Sequence, residues 1–157
     1  MQKITPFLWF DHQAEEAASF YTSIFKNSRI EGADHHCDAG PGEKETVISV
    51  TFWLDGVKFI ALNGGPLFTF SPAISFFVSC ETQAEVDDLW TKLSAGGETS
   101  RCGWLKDKFG VSWQIVPTVL GKLLSDEDDE KSQRVMQAML QMTKLDVEAL
   151  QQAYERA

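Results

Sequence analysis

From Ile74 to Leu93 the chain reads Ile74-Ser-Phe-Phe-Val-Ser-Cys80-Glu-Thr-Gln-Ala-Glu85-Val-Asp-Asp-Leu-Trp90-Thr-Lys-Leu93. A short bulky apolar run gives way to apolar residues at helical spacing, the pattern of a strand followed by a helix. Thr82 supplies a capping hydroxyl and Glu85 follows it by three residues, which marks the helix start. Seventy positions earlier the chain has already followed the same plan: Phe7 lies on Phe77, Asp11 on Glu81, Gln13-Ala14-Glu15 on Gln83-Ala84-Glu85, and Phe20 on Trp90. A duplicated strand-helix unit organises the sequence.

The second halves of the two copies also match. Gly56-Val57-Lys58-Phe59 falls on Gly110-Val111-Ser112-Trp113 once the offset drops to fifty-four, because the first copy has a longer connection after its helix. Both glycines are expected in hairpin turns. Strands are expected at Thr46 to Leu54 and Val57 to Asn63 in the first copy, and at Glu98 to Leu105 and Val111 to Val116 in the second. Each copy therefore reads as a βαβββ module, the first over about residues 1–66 and the second over about 72–118. Asn63-Gly-Gly-Pro66 and Ala95-Gly-Gly97 are turn punctuation, without the GxGxxG spacing of a dinucleotide loop.

The tail, about residues 119–157, differs in kind. Ser125 and the acidic run Asp126 to Glu130 lead into a helix over Lys131 to Met142, with negative charge at its N-terminus. A second helix follows Asp146 and runs through Tyr154. Met136, Met139 and Met142 form a stripe that reads as packing surface.

With 14 Lys+Arg against 23 Asp+Glu in 157 residues, the net charge of -9 disfavours nucleic acid and anionic membranes, whose phosphates would be repelled. One domain of this length buries a core without staples. No apolar signal core follows the first residues and no apolar run approaches the length of a bilayer span, which points to a cytoplasmic protein. Cys37, Cys80 and Cys102 are odd in number and lack CxxC spacing, so they read as free thiols.

With the duplication established, the sequence resembles the vicinal oxygen chelate superfamily of glyoxalases, bleomycin-resistance proteins and extradiol dioxygenases. It is most similar to the PhnB-like branch, many of whose members carry the label 3-demethylubiquinone-9 3-methyltransferase. The residues that carry the likeness are Asn63 to Pro66, Ala73 to Cys80, Glu85 to Trp90, Cys102 to Pro117 and, in the tail, Gln133 to Met139. The resemblance implies an α+β fold in which two βαβββ modules form a curved eight-stranded sheet around a cavity, closed by the helical tail. It also implies a homodimer.

Many members of that superfamily hold a divalent metal through four side chains. One lies on the first strand of each module, seven residues before its terminal acidic residue; the other lies four residues after the turn glycine. Counted from Asp11, Glu81, Gly56 and Gly110, these positions hold Ile4, Ile74, Ile60 and Gln114. Aliphatic carbons offer no lone pairs and one amide oxygen is a weak neutral ligand, so no metal is expected. By strand alternation Leu8 and Phe10 would share a face with Ile4, and Phe76, Val78 and Cys80 one with Ile74, giving an apolar wall suited to a hydrophobic or aromatic ligand. No cofactor is expected either: the glycine-rich loop and ribose-binding acid of the common S-adenosylmethionine site are missing.

Asp34-His-His-Cys-Asp38 is a cluster of metal-ligand types, but on a strand only His35 and Cys37 share a face, short of the four ligands of structural zinc. Cys80 and Cys102 read as buried fillers rather than nucleophiles, His12 as a surface residue, and Asp55 and Asp107 as turn residues. Asn63 and Gln114 are amides near the ends of corresponding strands; either orients a ligand, or Asn63 serves the Gly64-Gly65 turn. Trp113 should pack behind the cavity and Trp104 should form its wall. The expected ligand pocket thus comprises Gln114, Asn63, Trp104, Cys80, Phe76, Leu8 and Phe10. The function expected is metal-independent binding of a small molecule; the alternative is an enzyme, either a lyase or isomerase with a recruited metal or a methyltransferase.

Overall fold

Alternating bulky residues and turn glycines fold into two four-stranded sheets, one in each of two units of the chain, Met1–Phe70 and Ser71–Ala157. The computed structural model describes residues 1–35 and 46–156. The first unit runs β1 (Phe7–Phe10), α1 (Ala14–Ile24), β2 (Arg29–His35), β3 (Val47–Leu54) and β4 (Val57–Asn63). The second runs β5 (Ser75–Cys80), α2 (Gln83–Ser94), β6 (Glu98–Thr99), β7 (Trp104–Lys106) and β8 (Ser112–Pro117), then the tail helices α3 (Thr118–Leu124), α4 (Asp129–Leu140) and α5 (Val147–Glu155). The sheet orders are β1-β4-β3-β2 and β5-β8-β7-β6, and in each the first strand is parallel to the last. The repeat in sequence is therefore a repeat in topology. Gly56 and Gly110 each take a positive φ, 78° and 90°, in the matching turns.

In the first unit, α1 lays Ala14, Ala17, Ala18, Tyr21 and Ile24 on the sheet. Its alanines let the helix approach closely, and Tyr21 stacks on Phe52, which stacks in turn on Phe59. Each such ring, fully buried, contributes about 1.5–3 kcal/mol. In the second unit α2 buries Val86, Leu89, Trp90 and Leu93. Its start is as expected: the Thr82 hydroxyl accepts from Glu85 N, and the Glu85 carboxylate accepts from Glu81 N.

The tail has a core of its own, built from Val116, Leu120, Val135, Leu145 and Leu150. Met139 and Met142 pack against that core whereas Met136 is exposed, so the methionine stripe divides. Helix α4 starts from Asp128 rather than Ser125, because the Asp128 carboxylate reaches Glu130 N and Lys131 N. Gln83 of α2 joins the tail to the second module by donating to Leu145 O and accepting from Val147 N. Lys144 adds an ion pair to Asp87, which holds that carboxyl below its usual range, chiefly through the hydrogen bond from the Lys144 ammonium and then that from Gln83. Gln83→Ala is expected to cost about 1–2 kcal/mol by leaving two backbone groups to water. Faster hydrogen exchange at Val147, with α2 amides unchanged, would verify it.

Two further expectations need correction. The single strand expected over Glu98 to Leu105 is two short strands, β6 and β7, because Cys102 and Gly103 adopt φ of 60° and 84° and turn the chain between them. The tail, expected from about residue 119, also carries a helix not expected there, α3, which continues directly from β8. Among the described residues no helix is long and apolar enough to cross a membrane.

Candidate functional site

Each sheet has a face covered by its helix and an open face, and the strand registers sort the candidate residues between them. In the first unit Leu8 pairs with Ala61 and Phe10 with Asn63, on the same side as Phe52 and Phe59 beneath α1. Phe7, Trp9 and Ile60 occupy the opposite side. In the second unit Phe76 pairs with Trp113, Val78 with Ile115 and Cys80 with Pro117, all on the buried side, while Phe77 and Trp104 pair with Gln114 on the open side. The structure thus brings Gln114 and Trp104 together and places Leu8, Phe10, Asn63, Phe76 and Cys80 on the helix side. The expected grouping of Leu8 and Phe10 with Ile4 fails as a strand face, since Ile4 precedes β1 and is 88% exposed.

Asn63 serves the fold. Helix α1 has no side-chain cap from Gln13, and the Asn63 carbonyl instead accepts from Ala14 N at 2.8 Å while its amide donates to Val47 O at 3.2 Å. A residue 49 positions away thus caps the helix. Gly64 is required next to it, because a Cβ there would run into the Trp9 ring.

Cys80 is fully buried, and burial, reinforced by the nearby Glu85 carboxylate, pushes its thiol from 9.0 up to about 12. A neutral buried thiol is a poor nucleophile. In the folded chain it should resist iodoacetamide at pH 8 and react on unfolding, as tryptic mass mapping will show. The raised value also sets a sign. Below 9.0 the thiol is neutral in both states, whereas above it only the unfolded chain ionises, so stability falls as pH rises toward about 12. Cys80→Ala should flatten that alkaline decline.

The turn through Cys102 is a joint. Cys102 N donates to Met142 O and Gly103 N to Thr143 O, both at 2.9 Å, and the Cys102 thiol points to Met139 O. Gly103 has no room for a side chain, since a Cβ would lie 2.8 Å from Ile115 O and 3.0 Å from Leu145. The tail therefore clasps the turn that leads into Trp104.

Asp107 does more than the expected turn work. Its carboxylate is 2% exposed and accepts from Phe109 N, Val111 N and the Trp113 indole at 2.9–3.0 Å. It fixes Trp113 on the buried face of β8, opposite Gln114. His12 is a surface residue beside Asp11, and Asp55 has a positive φ in its turn. Asp34 and His35 are exposed on β2, with Asp34 accepting from Ser49, while His36, Cys37 and Asp38 lie outside the described residues. Trp53 keeps a buried indole N–H without a partner among the described residues.

On the second unit's surface a cavity of about 380 Å³ opens along β6 and β7. Trp104 and Ser112 form part of its wall, and Glu98, Arg101 and Lys106 supply its charge. Sequence reasoning missed these three charged residues. The available signal was Arg101, a cation immediately before the Cys102-Gly-Trp104 turn, but nothing in its spacing showed that β6 would fold back beside it. Gln114 lies next to this cavity and donates to Ser75 Oγ at 3.0 Å.

The four positions to which the resemblance would assign a metal do not fit one. Ile60 and its β1 register partner Phe7 offer only carbon, and Gln114 beside Phe77 offers a single amide. Ile74, like Ile4, lies outside its strand and is 76% exposed. Among the described residues no three His, Cys, Asp or Glu side chains converge on one point.

Residues 2–116 match the family described as 3-demethylubiquinone-9 3-methyltransferase. No curated protein matches the chain. Among solved structures, a putative 3-demethylubiquinone-9 3-methyltransferase, PhnB protein, from Bacillus cereus is 42% identical over 74% of this chain and 100% of its own, with a TM-score of 0.67. A protein from Pseudomonas aeruginosa is 20% identical over 74% of this chain and 98% of its own, with a TM-score of 0.62. The fosfomycin resistance protein FosX from Listeria monocytogenes, solved with Mn(II) and sulfate, shares the fold at 15% identity over 72% of this chain and 90% of its own, with a TM-score of 0.52. The family match ends at Val116, so helices α3 to α5 lie beyond it. By its duplicated modules and by this match, the chain belongs to the 3-demethylubiquinone-9 3-methyltransferase (PhnB) family of glyoxalase-fold proteins.

Proposed function

We propose that this chain binds a small organic molecule with an apolar or aromatic body on the open face of its second module, without the metal of its superfamily relatives. The observation that carries this reading is Gln114. Its amide donates to Ser75, which fixes the side chain, and its carbonyl has no partner among the described residues. Trp104 and Phe77 are its register neighbours, so an oriented acceptor stands between two aromatic side chains. Such an arrangement recognises a ring bearing a hydroxyl or N–H donor. The exposed ring of Phe7 is available to a second copy, and a homodimer is part of the proposal, to be measured by sedimentation.

Titration of isotope-labelled protein with 4-methylphenol tests the site. Saturable shifts at the Trp104 indole and Gln114 amide are expected, and Gln114→Leu should remove the dependence on the phenol hydroxyl. Absence of saturable shifts at either residue sinks the reading. A thermal-shift series with Mn(II), Zn(II) and Ni(II) on chelator-treated protein should show no stabilisation; an increase at one equivalent would overturn the metal-free part. The family's description makes methyl transfer the second reading. Calorimetry with S-adenosylmethionine decides it, with no binding expected.

A further inference from the structure

We infer that the cavity along β6 and β7 is the anion-recognising half of that same site, and that the ligand it selects is a small aromatic acid whose carboxylate meets Arg101 and Lys106. This rests on the reading that Trp104 and Gln114 hold an organic ligand. Trp104 belongs to both halves: it pairs with Gln114 on one side and lines the cavity on the other. A ring lying on Trp104 therefore has the neutral amide at one end and the charged cavity at the other. The volume, about 380 Å³, is near the lower bound of small-molecule sites.

The charges are uncommitted. Neither Arg101 nor Lys106 makes an ion pair with any described residue, although the chain as a whole carries a net charge of -9. Glu98 is the cross-strand partner of Lys106 on the same side of the sheet, and it too lines the cavity. Two cations facing one carboxylate leave a single positive charge, which matches a monoanion better than a dianion. Arginine's planar fork suits a carboxylate.

Arg101 also sits on an anchored turn. Ser100 N bonds to Trp104 O and Trp104 N to Arg101 O, while the next two amides are held by Met142 O and Thr143 O of the tail. The cation's backbone is thereby preorganised, which lowers the entropy lost on binding.

The test compares benzoate with benzyl alcohol, its neutral counterpart, by nuclear magnetic resonance at the Trp104 indole. Benzoate should bind about tenfold more tightly, the ratio one charge-assisted hydrogen bond supplies. Arg101→Gln should erase that advantage without weakening benzyl alcohol, and Glu98→Gln should tighten benzoate. Equal affinity for the two probes, or no effect of Arg101→Gln, overturns the anion assignment and leaves the Trp104 and Gln114 site standing. Tighter binding of phenylphosphonate than of benzoate overturns the choice of a monoanion. Failure of every probe to shift Trp104 overturns both readings.

Discussion

Asp107→Ala should lower the free energy of unfolding by about 3–4 kcal/mol, since it strands buried donors that the rest of the core cannot satisfy. Three N–H groups converge on this carboxylate, and two of them, Val111 N and the Trp113 indole, are buried with it. Each orphaned buried donor costs about 1–3 kcal/mol. The turn itself would loosen, because the Asp107 backbone also bonds Val111 O and receives Gly110 N. Asp107→Asn keeps one acceptor oxygen and turns an amide NH₂ against either Trp113 or the turn, so about half the loss is expected. Urea unfolding followed by tryptophan fluorescence measures both. A loss under about 1 kcal/mol for the alanine variant would show that water replaces the carboxylate and that the reading of a dry site is wrong.

Gly97→Ala should be comparably damaging for a steric reason. A Cβ at Gly97 would collide with Lys106 O and lie 2.8–2.9 Å from Asp107 C and Cα. These are backbone atoms of the neighbouring strand and turn, so no rotamer change relieves them, and β6 must move away from β7. A cost of about 3 kcal/mol is expected. The displacement also carries Glu98 and Thr99 out of the cavity wall, so benzoate binding should weaken along with stability. Gly121→Ala is the control: it sits inside α3 with nothing within 4 Å of its would-be Cβ, and should be neutral or stabilise by up to about 1 kcal/mol. Because Gly97 and Asp107 touch the same turn, the double variant should lose less than the two separate losses combined.

These positions show how far the linear chain could be read. The fold was legible because a duplicated pattern of strand, capped helix and hairpin glycine carries its signal locally: Thr82 and Glu85 cap α2, and Gly56 and Gly110 turn with positive φ. Of the residues expected to line a pocket, the register brings together only Gln114 and Trp104 on an open sheet face. Counting back from Asp11 and Glu81 set the wrong strand parity for Leu8, Phe10, Phe76 and Cys80, because a one-residue change of register exchanges the two faces of a strand. Which parity faces the helix is decided in the first unit where Tyr21 of α1 meets Phe52.

The same division holds for polar residues. An amide such as Asn63 looks identical in sequence whether it awaits a ligand or caps a distant helix, and only the approach of Ala14 N across 49 positions makes it structural. Arg101 is an ordinary surface cation until the turn at Cys102 and Gly103 folds β6 against β7 and the tail clasps it. By itself the sequence determined the repeat and the capped start of α2, both properties of residue type and spacing. Tertiary structure alone decided which faces are covered and which charges meet at one cavity, because those depend on contacts between segments that spacing does not encode.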